Sequence, residues 1–105
     1  MDRLAALRAF VEKSPDDPFP RYGLAMELAN RGLLEEACGV FQSLTERAPD
    51  YVPAYLMYGN TLVRAEQKEK AAKIYRAGAE VSLRRGDTHA HGEILAALAA
   101  LDSSD

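Results

Sequence analysis

The apolar positions of this chain fall in runs with helical spacing, and prolines and glycines cut those runs at regular intervals. Ser14-Pro15-Asp16-Asp17-Pro18 closes one run and opens the next: the prolines stop the first helix, Asp17 can accept from free backbone amides, and Pro18 suits a first helical turn. Arg31-Gly32 ends the second helix, because glycine tolerates the left-handed conformation that closes many helices. A third helix is predicted from about Leu34 to Arg47. Ala48-Pro49-Asp50 repeats the stop, with Asp50 as the expected cap and Pro53 inside the first turn of a helix reaching about Ala65. Glu66-Gln67 makes a turn without glycine, and Lys68 to about Arg85 gives a long helix closed by Gly86. Asp87 can cap a last helix through about Leu101, in which Ile94, Leu95, Leu98 and Leu101 form an apolar stripe.

Two stretches carry the same residue types 34 positions apart. The second reads Tyr55-x-x-Tyr58-Gly59-x-x-Leu62, then Ala71-x-x-x-Tyr75; the first reads Arg21-x-x-Leu24-Ala25-x-x-Leu28, then Ala37-x-x-x-Phe41, closing at Pro49. The pattern of large, then large-small, then large on one helix, with alanine and an aromatic one turn apart on the next, resembles the tetratricopeptide repeat (TPR) over roughly 18–85. Leu7, Phe10 and Pro15 lie 34 positions before Phe41, Leu44 and Pro49, so 2–13 reads as the second helix of a truncated repeat.

The resemblance implies an all-α fold, a right-handed α-solenoid of antiparallel helix pairs. Residues 1–105 would form a single domain: an N-terminal helix over 2–13, repeats over 18–51 and 52–85, and a C-terminal capping helix over 87–101. A short helix pair cannot bury its apolar face alone, so neighbouring pairs stack, and small residues let the backbones approach. Ala25, Ala37, Gly59 and Ala71 are the expected small contacts, and both flanking helices are expected to be structural necessities. The chain departs from the pattern in three ways: it has no Trp, Arg21 stands where a large apolar residue is wanted, and Leu83 replaces the proline that closes the first copy, which implies a longer helix.

Composition narrows the function. At 105 residues the chain suits one domain that buries about two-thirds of its unfolded surface. A net charge of -3 argues against nucleic acid, whose phosphates are held by clustered Lys and Arg. Cys38 is the only cysteine, so no internal disulfide can form. The N-terminal stretch is interrupted by Asp2, Arg3 and Arg8, unlike a signal peptide, and no apolar run approaches transmembrane length. The expectation is a cytoplasmic protein with no membrane contact.

Candidate chemistry is thin. In His89-x-His91-x-Glu93 the first and last residues share a helix face, but His91 points about 200° away, so no metal is expected. Both histidines are expected at the solvated start of the last helix. Asp16-Asp17 and Glu35-Glu36 sit at helix N-termini, where the helix dipole favours negative charge, and adjacent residues do not converge on one point. Cys38 reads as a buried small hydrophobe, and the glycines are too scattered for a phosphate loop. No enzyme activity and no cofactor are expected.

In such a stack the first helix of each pair lines the concave side. Positions pointing away from the small-residue seam are Phe19, Tyr22 and Met26 in one repeat and Leu56, Asn60, Val63 and Arg64 in the next. These form a candidate groove for a partner peptide or helix, with Tyr22 and Met26 as apolar anchor and Asn60 and Arg64 as polar handles; Ile94 and Leu98 of the last helix could instead fill it. Chaperone-binding relatives clamp a C-terminal carboxylate with Lys and Asn, but the corresponding places hold Tyr22, Met26, Met57, Asp87 and His91, so a hydrophobic or mixed ligand is expected. The function read from this is a non-catalytic protein-protein interaction adaptor. The alternative is a homo-oligomer, such as a homodimer, in which a second copy covers the groove or the C-terminal helix.

Overall fold

The computed structural model describes residues 2–103; Met1, Ser104 and Asp105, which the single-domain reading includes, lie outside the described residues. The described residues form six helices and no strand: α1 (Arg3–Lys13), α2 (Pro18–Asn30), α3 (Leu34–Arg47), α4 (Pro53–Arg64), α5 (Lys68–Arg84) and α6 (Thr88–Asp102). Their ends follow local chemistry. Asp17 accepts from the Phe19 amide and Pro18 takes the first helical position of α2, where its missing N–H costs nothing. Gly32 and Gly86 close α2 and α5 at φ +78 and +72. Asp87 caps α6 by accepting from Ala90 N. With no proline to stop it, α5 runs 17 residues against 14 for α3, and Leu83 in its last turn is exposed.

Asp50 does not cap α4, contrary to expectation. The amides of Ala54 and Tyr55 are taken by the carbonyls of Tyr51 and Val52, and Pro53 has no amide to satisfy, so the first turn of α4 leaves a side-chain cap little to do. The Asp50 carboxylate instead accepts from Arg84 at the end of α5, at 3.3 Å.

Every pair of helices whose backbones approach closely is either consecutive in the chain or belongs to the series α2, α4, α6. That contact pattern is a helical solenoid: units add by translation, and no helix closes back on a central axis. Because the backbones of α2 and α4, and of α4 and α6, approach closely, while α3 meets α1 through the Arg8–Glu36 ion pair and has no close backbone approach to α1 or α5, the even-numbered helices lie on the inside of the curve. The molecule measures 42 × 30 × 19 Å.

The core follows the two repeat stretches. Ala25, Ala37 and Ala71 are fully buried, Gly59 is buried with them, and Leu28, Phe41 and Leu62 lie beside them without exposure. Phe41 of α3 stacks on Tyr58 of α4 with ring centroids 5.6 Å apart, joining one helix pair to the next. Each such large side chain contributes about 1.5–3 kcal/mol on burial. Gly78, a close contact that the repeat comparison does not reveal, lets α5 approach α4: a Cβ there would lie 2.5 Å from Tyr55 Cβ and 3.2 Å from Ile94 Cδ1. The buried hydroxyls of Thr61 and Ser82 donate to carbonyls of their own helices, at Met57 and Ala79.

Arg21, the departure from the repeat pattern, has a structural use. Its guanidinium donates to the Pro15 carbonyl at 2.7 Å, and Arg47 donates to the same oxygen at 3.2 Å, so two arginines from α2 and α3 hold the turn that precedes them.

Candidate functional site

On the inner side two hollows lie between α4 and α6, the first bordered also by α2 and the second by α5. The first, of ≈ 280 Å³, is lined by Tyr22 from α2, Leu56 and Met57 from α4, and Ala90, Glu93 and Ile94 from α6, with Asp87 and His89 at its mouth. The second, of ≈ 330 Å³, is lined by Asn60 and Val63 of α4, Tyr75 of α5, and Ala97, Ala100 and Leu101 of α6. A wider depression at the α4–α5 turn is bordered by polar and charged side chains only, among them Glu66, Lys68 and Glu69.

Of the seven residues singled out by sequence, Tyr22 and Leu56 meet at the first hollow, and Asn60 and Val63 meet at the second. Phe19, Met26 and Arg64 line neither: Phe19 and Arg64 are exposed, and Met26 packs against the core. The Tyr22 ring is fixed edge-on against Tyr51, with centroids 5.6 Å apart. Burial raises the Tyr22 hydroxyl above its ordinary pKa, so the phenol stays neutral and donates at physiological pH. Asn60 is already engaged, since Tyr75 donates its hydroxyl to Asn60 Oδ1 at 2.6 Å.

Sequence reading placed Ile94 and Leu98 of α6 at the groove but missed that Ala90, Glu93, Ala97, Ala100 and Leu101 line the hollows too. A signal existed in the 34-residue period: Tyr22, Leu56 and Ala90 form one row, and Val63 and Ala97 another. The last helix therefore continues the series as an inner helix, and its Ile94 takes part in lining the first hollow. Ile94 is in the core, 1% exposed, and Leu98 packs against that core.

The histidine pair is split. His89 faces solvent and lies 3.2 Å from Glu93, an ion pair when the imidazole is protonated. His91, expected in the solvated first turn, instead turns toward α5 because its face of α6 is the packed one. Its Nδ1 is 3.0 Å from the Ala79 carbonyl, which can only accept, so that nitrogen carries the proton. Among the described residues no group of three His, Cys, Asp or Glu side chains is placed to hold a metal ion, and no helix is long and apolar enough to cross a membrane. Burial pushes the Cys38 thiol up, which keeps it protonated and unreactive at neutral pH.

A translational stack of helix pairs with an inner face lined by side chains from successive units is the architecture of a protein-interaction module. No family model matches the chain, and no curated protein matches it in sequence. Solved structures do match. A tetratricopeptide repeat domain protein from Salinibacter ruber is 30% identical, with 88% of this chain and 93% of that one covered and a TM-score of 0.82. The TPR2B domain of yeast Sti1, solved as a complex with pHsp70, is 17% identical over 97% of this chain and 82% of its own, with a TM-score of 0.90. SycD, a type III secretion translocator chaperone from Yersinia enterocolitica, is 11% identical over 94% of this chain and 69% of its own, with a TM-score of 0.85. At those identities the last two speak for the fold alone. The Salinibacter protein establishes more: the chain belongs to the tetratricopeptide repeat family.

Proposed function

We propose that the protein is a small, non-catalytic adaptor of the cytoplasm that works without cofactor and binds a partner peptide or helix in the groove between α2, α4 and α6. Its units are the repeats 18–51 and 52–85 with a flanking helix on each side. The observation that carries this reading is the pair of hollows on the inner face, both walled by neighbouring inner helices. Tyr22, Leu56, Asn60 and Val63 contact the partner, with Phe19, Met26 and Arg64 flanking them. The solved complex of the Sti1 domain with pHsp70 supports peptide binding by this architecture. A carboxylate clamp is not part of the proposal, because Asp87 at the mouth would repel a C-terminal carboxylate.

The test is an affinity capture from the source cell with Tyr22→Ala/Asn60→Ala as control. The parent should retain a partner that the double variant loses, with the helical circular dichroism of the two proteins alike. Equal capture by both would remove these residues from the site.

A second reading is self-association, favoured by Leu95, which is 44% exposed on α6 beside the exposed Ala96 and Ala99. Light scattering after size-exclusion chromatography separates the two: a stable dimer supports self-association, and a monomer supports the adaptor.

A further inference from the structure

The chemistry of the groove selects a particular kind of ligand. This step rests on the groove being the binding site and adds what should occupy it. The two hollows are in register along two parallel walls: Leu56 and Ala90 border the first, Val63 and Ala97 the second, a step of seven residues on each helix. At 1.5 Å per residue the hollows lie about 10 Å apart along the groove. A helical ligand presents side chains seven residues apart on one face at about 10.5 Å. An extended ligand matches less well: side chains on one face recur every second residue, at about 6.7 or 13 Å, and the residue at 10 Å points to the opposite side.

Charge distinguishes the ends. Of the residues around the first hollow, Asp87 and Glu93 are acidic and none is Lys or Arg. The Asp87 carboxylate accepts from Ala90 N, and Glu93 lies 3.2 Å from the exposed imidazole of His89. Among the described residues that line the second hollow none is Asp, Glu, Lys or Arg.

We infer that the groove binds an amphipathic helix carrying two bulky apolar side chains seven residues apart, with a lysine or arginine within a turn of the first. The apolar groups fill the two hollows, and the cation lies against Asp87 and Glu93. The acidic end fixes which way the ligand runs, since reversing it would leave the cation beside an uncharged hollow.

Fluorescein-labelled 16-residue synthetic helices test this against the full chain by anisotropy. One probe carries leucines seven apart with lysines flanking the first; a second replaces the lysines by glutamates; a third moves the leucines to a spacing of five. The first should bind at least about tenfold tighter than either of the others, and its advantage over the second should shrink as salt is raised. Asp87→Asn combined with Glu93→Gln should abolish most of the lysine-over-glutamate preference while the thermal melt is kept, because asparagine caps a helix as well as aspartate. Equal binding of the first two probes, or of the first and third, overturns the proposal. Val63→Arg, which blocks the second hollow at a partly exposed position, separates the levels: probes that ignore charge and spacing but are lost on Val63→Arg sink the ligand assignment and leave the groove standing, whereas binding indifferent to Val63→Arg sinks both.

Discussion

The ring of Tyr75 occupies the space that a side chain on Gly59 would need: a Cβ built there would lie 2.5 Å from Cδ1 and closer still to Cε1. The ring cannot back away, because it is 2% exposed and its hydroxyl is held by Asn60. Helix propensity favours alanine over glycine by about 1 kcal/mol, while overpacking a tight seam costs about 1–3 kcal/mol. The clash should win, so Gly59→Ala is expected to lower stability in urea unfolding. Gly39 in α3 has nothing within 4 Å of its Cβ position, and Gly39→Ala should gain up to about 1 kcal/mol. Two changes of the same sign would refute the steric account.

Glu66 stands 34 residues after Gly32 and adopts the same left-handed backbone, at φ +61. A side chain in that region carries about 1 kcal/mol of strain that glycine lacks. Glu66→Gly should therefore raise the melting temperature despite being a change to the most flexible residue. A lower melting temperature would show that the Glu66 side chain has a stabilising contact outweighing its backbone.

The fold class was legible because its signals are local or periodic. Pro18, Gly32 and Gly86 mark helix ends through their own backbone preferences, and Ala25, Ala37, Gly59 and Ala71 mark the seam through the 34-residue period. The misses share a different cause. Asp50 reads as a cap from its neighbours, but its partner is Arg84, on another helix. His91 reads as solvated from its position in a first turn, but the face it occupies is decided by how α6 lies on α5. Gly78 was hidden because the corresponding place in the first copy is Leu44, so the period gave no hint of a close approach. Of the groove candidates, Tyr22, Leu56, Asn60 and Val63 line the hollows, as the repeat pattern and helix geometry together led one to expect. The rest of the α6 wall was overlooked because it is built largely of small residues, Ala90, Ala97 and Ala100.

The Glu27 carboxylate accepts from Arg31 Nε at 2.9 Å and from Arg3 Nε at 2.8 Å, tying α1 to α2. Those two hydrogen bonds, Arg31 foremost, hold Glu27 below the ordinary carboxylate range. A group whose folded pKa is depressed stabilises above its unfolded pKa, about 4.3, and loses that contribution as pH falls through the folded value. Glu27→Gln should therefore melt below the parent near neutral pH, with the gap closing as the solution is acidified below the ordinary carboxylate range. A gap independent of pH would mean that shape rather than charge is responsible.

Ala71 is fully buried where α5 meets α4, and Ala71→Leu should cost about 1–3 kcal/mol by overpacking, read from chemical denaturation. Truncation after Asp87 should be worse. It strips Ile94 and Leu101 from the core and uncovers the Gly78 contact, so the shortened chain should unfold or aggregate. An unchanged thermal melt would show that α6 is dispensable.

The eleven residues of α1 include none that is buried, and Leu4, Leu7 and Val11 reach only the smaller of two apolar clusters, while α4, α5 and α6 share the larger. Resistance to opening should then be graded along the axis, with the amino-terminal turn lifting like a flap long before the hairpins behind it separate. A protease would nick the chain first near Ser14, and deuterium would enter α1 fastest, leaving an inner block that keeps both hollows walled.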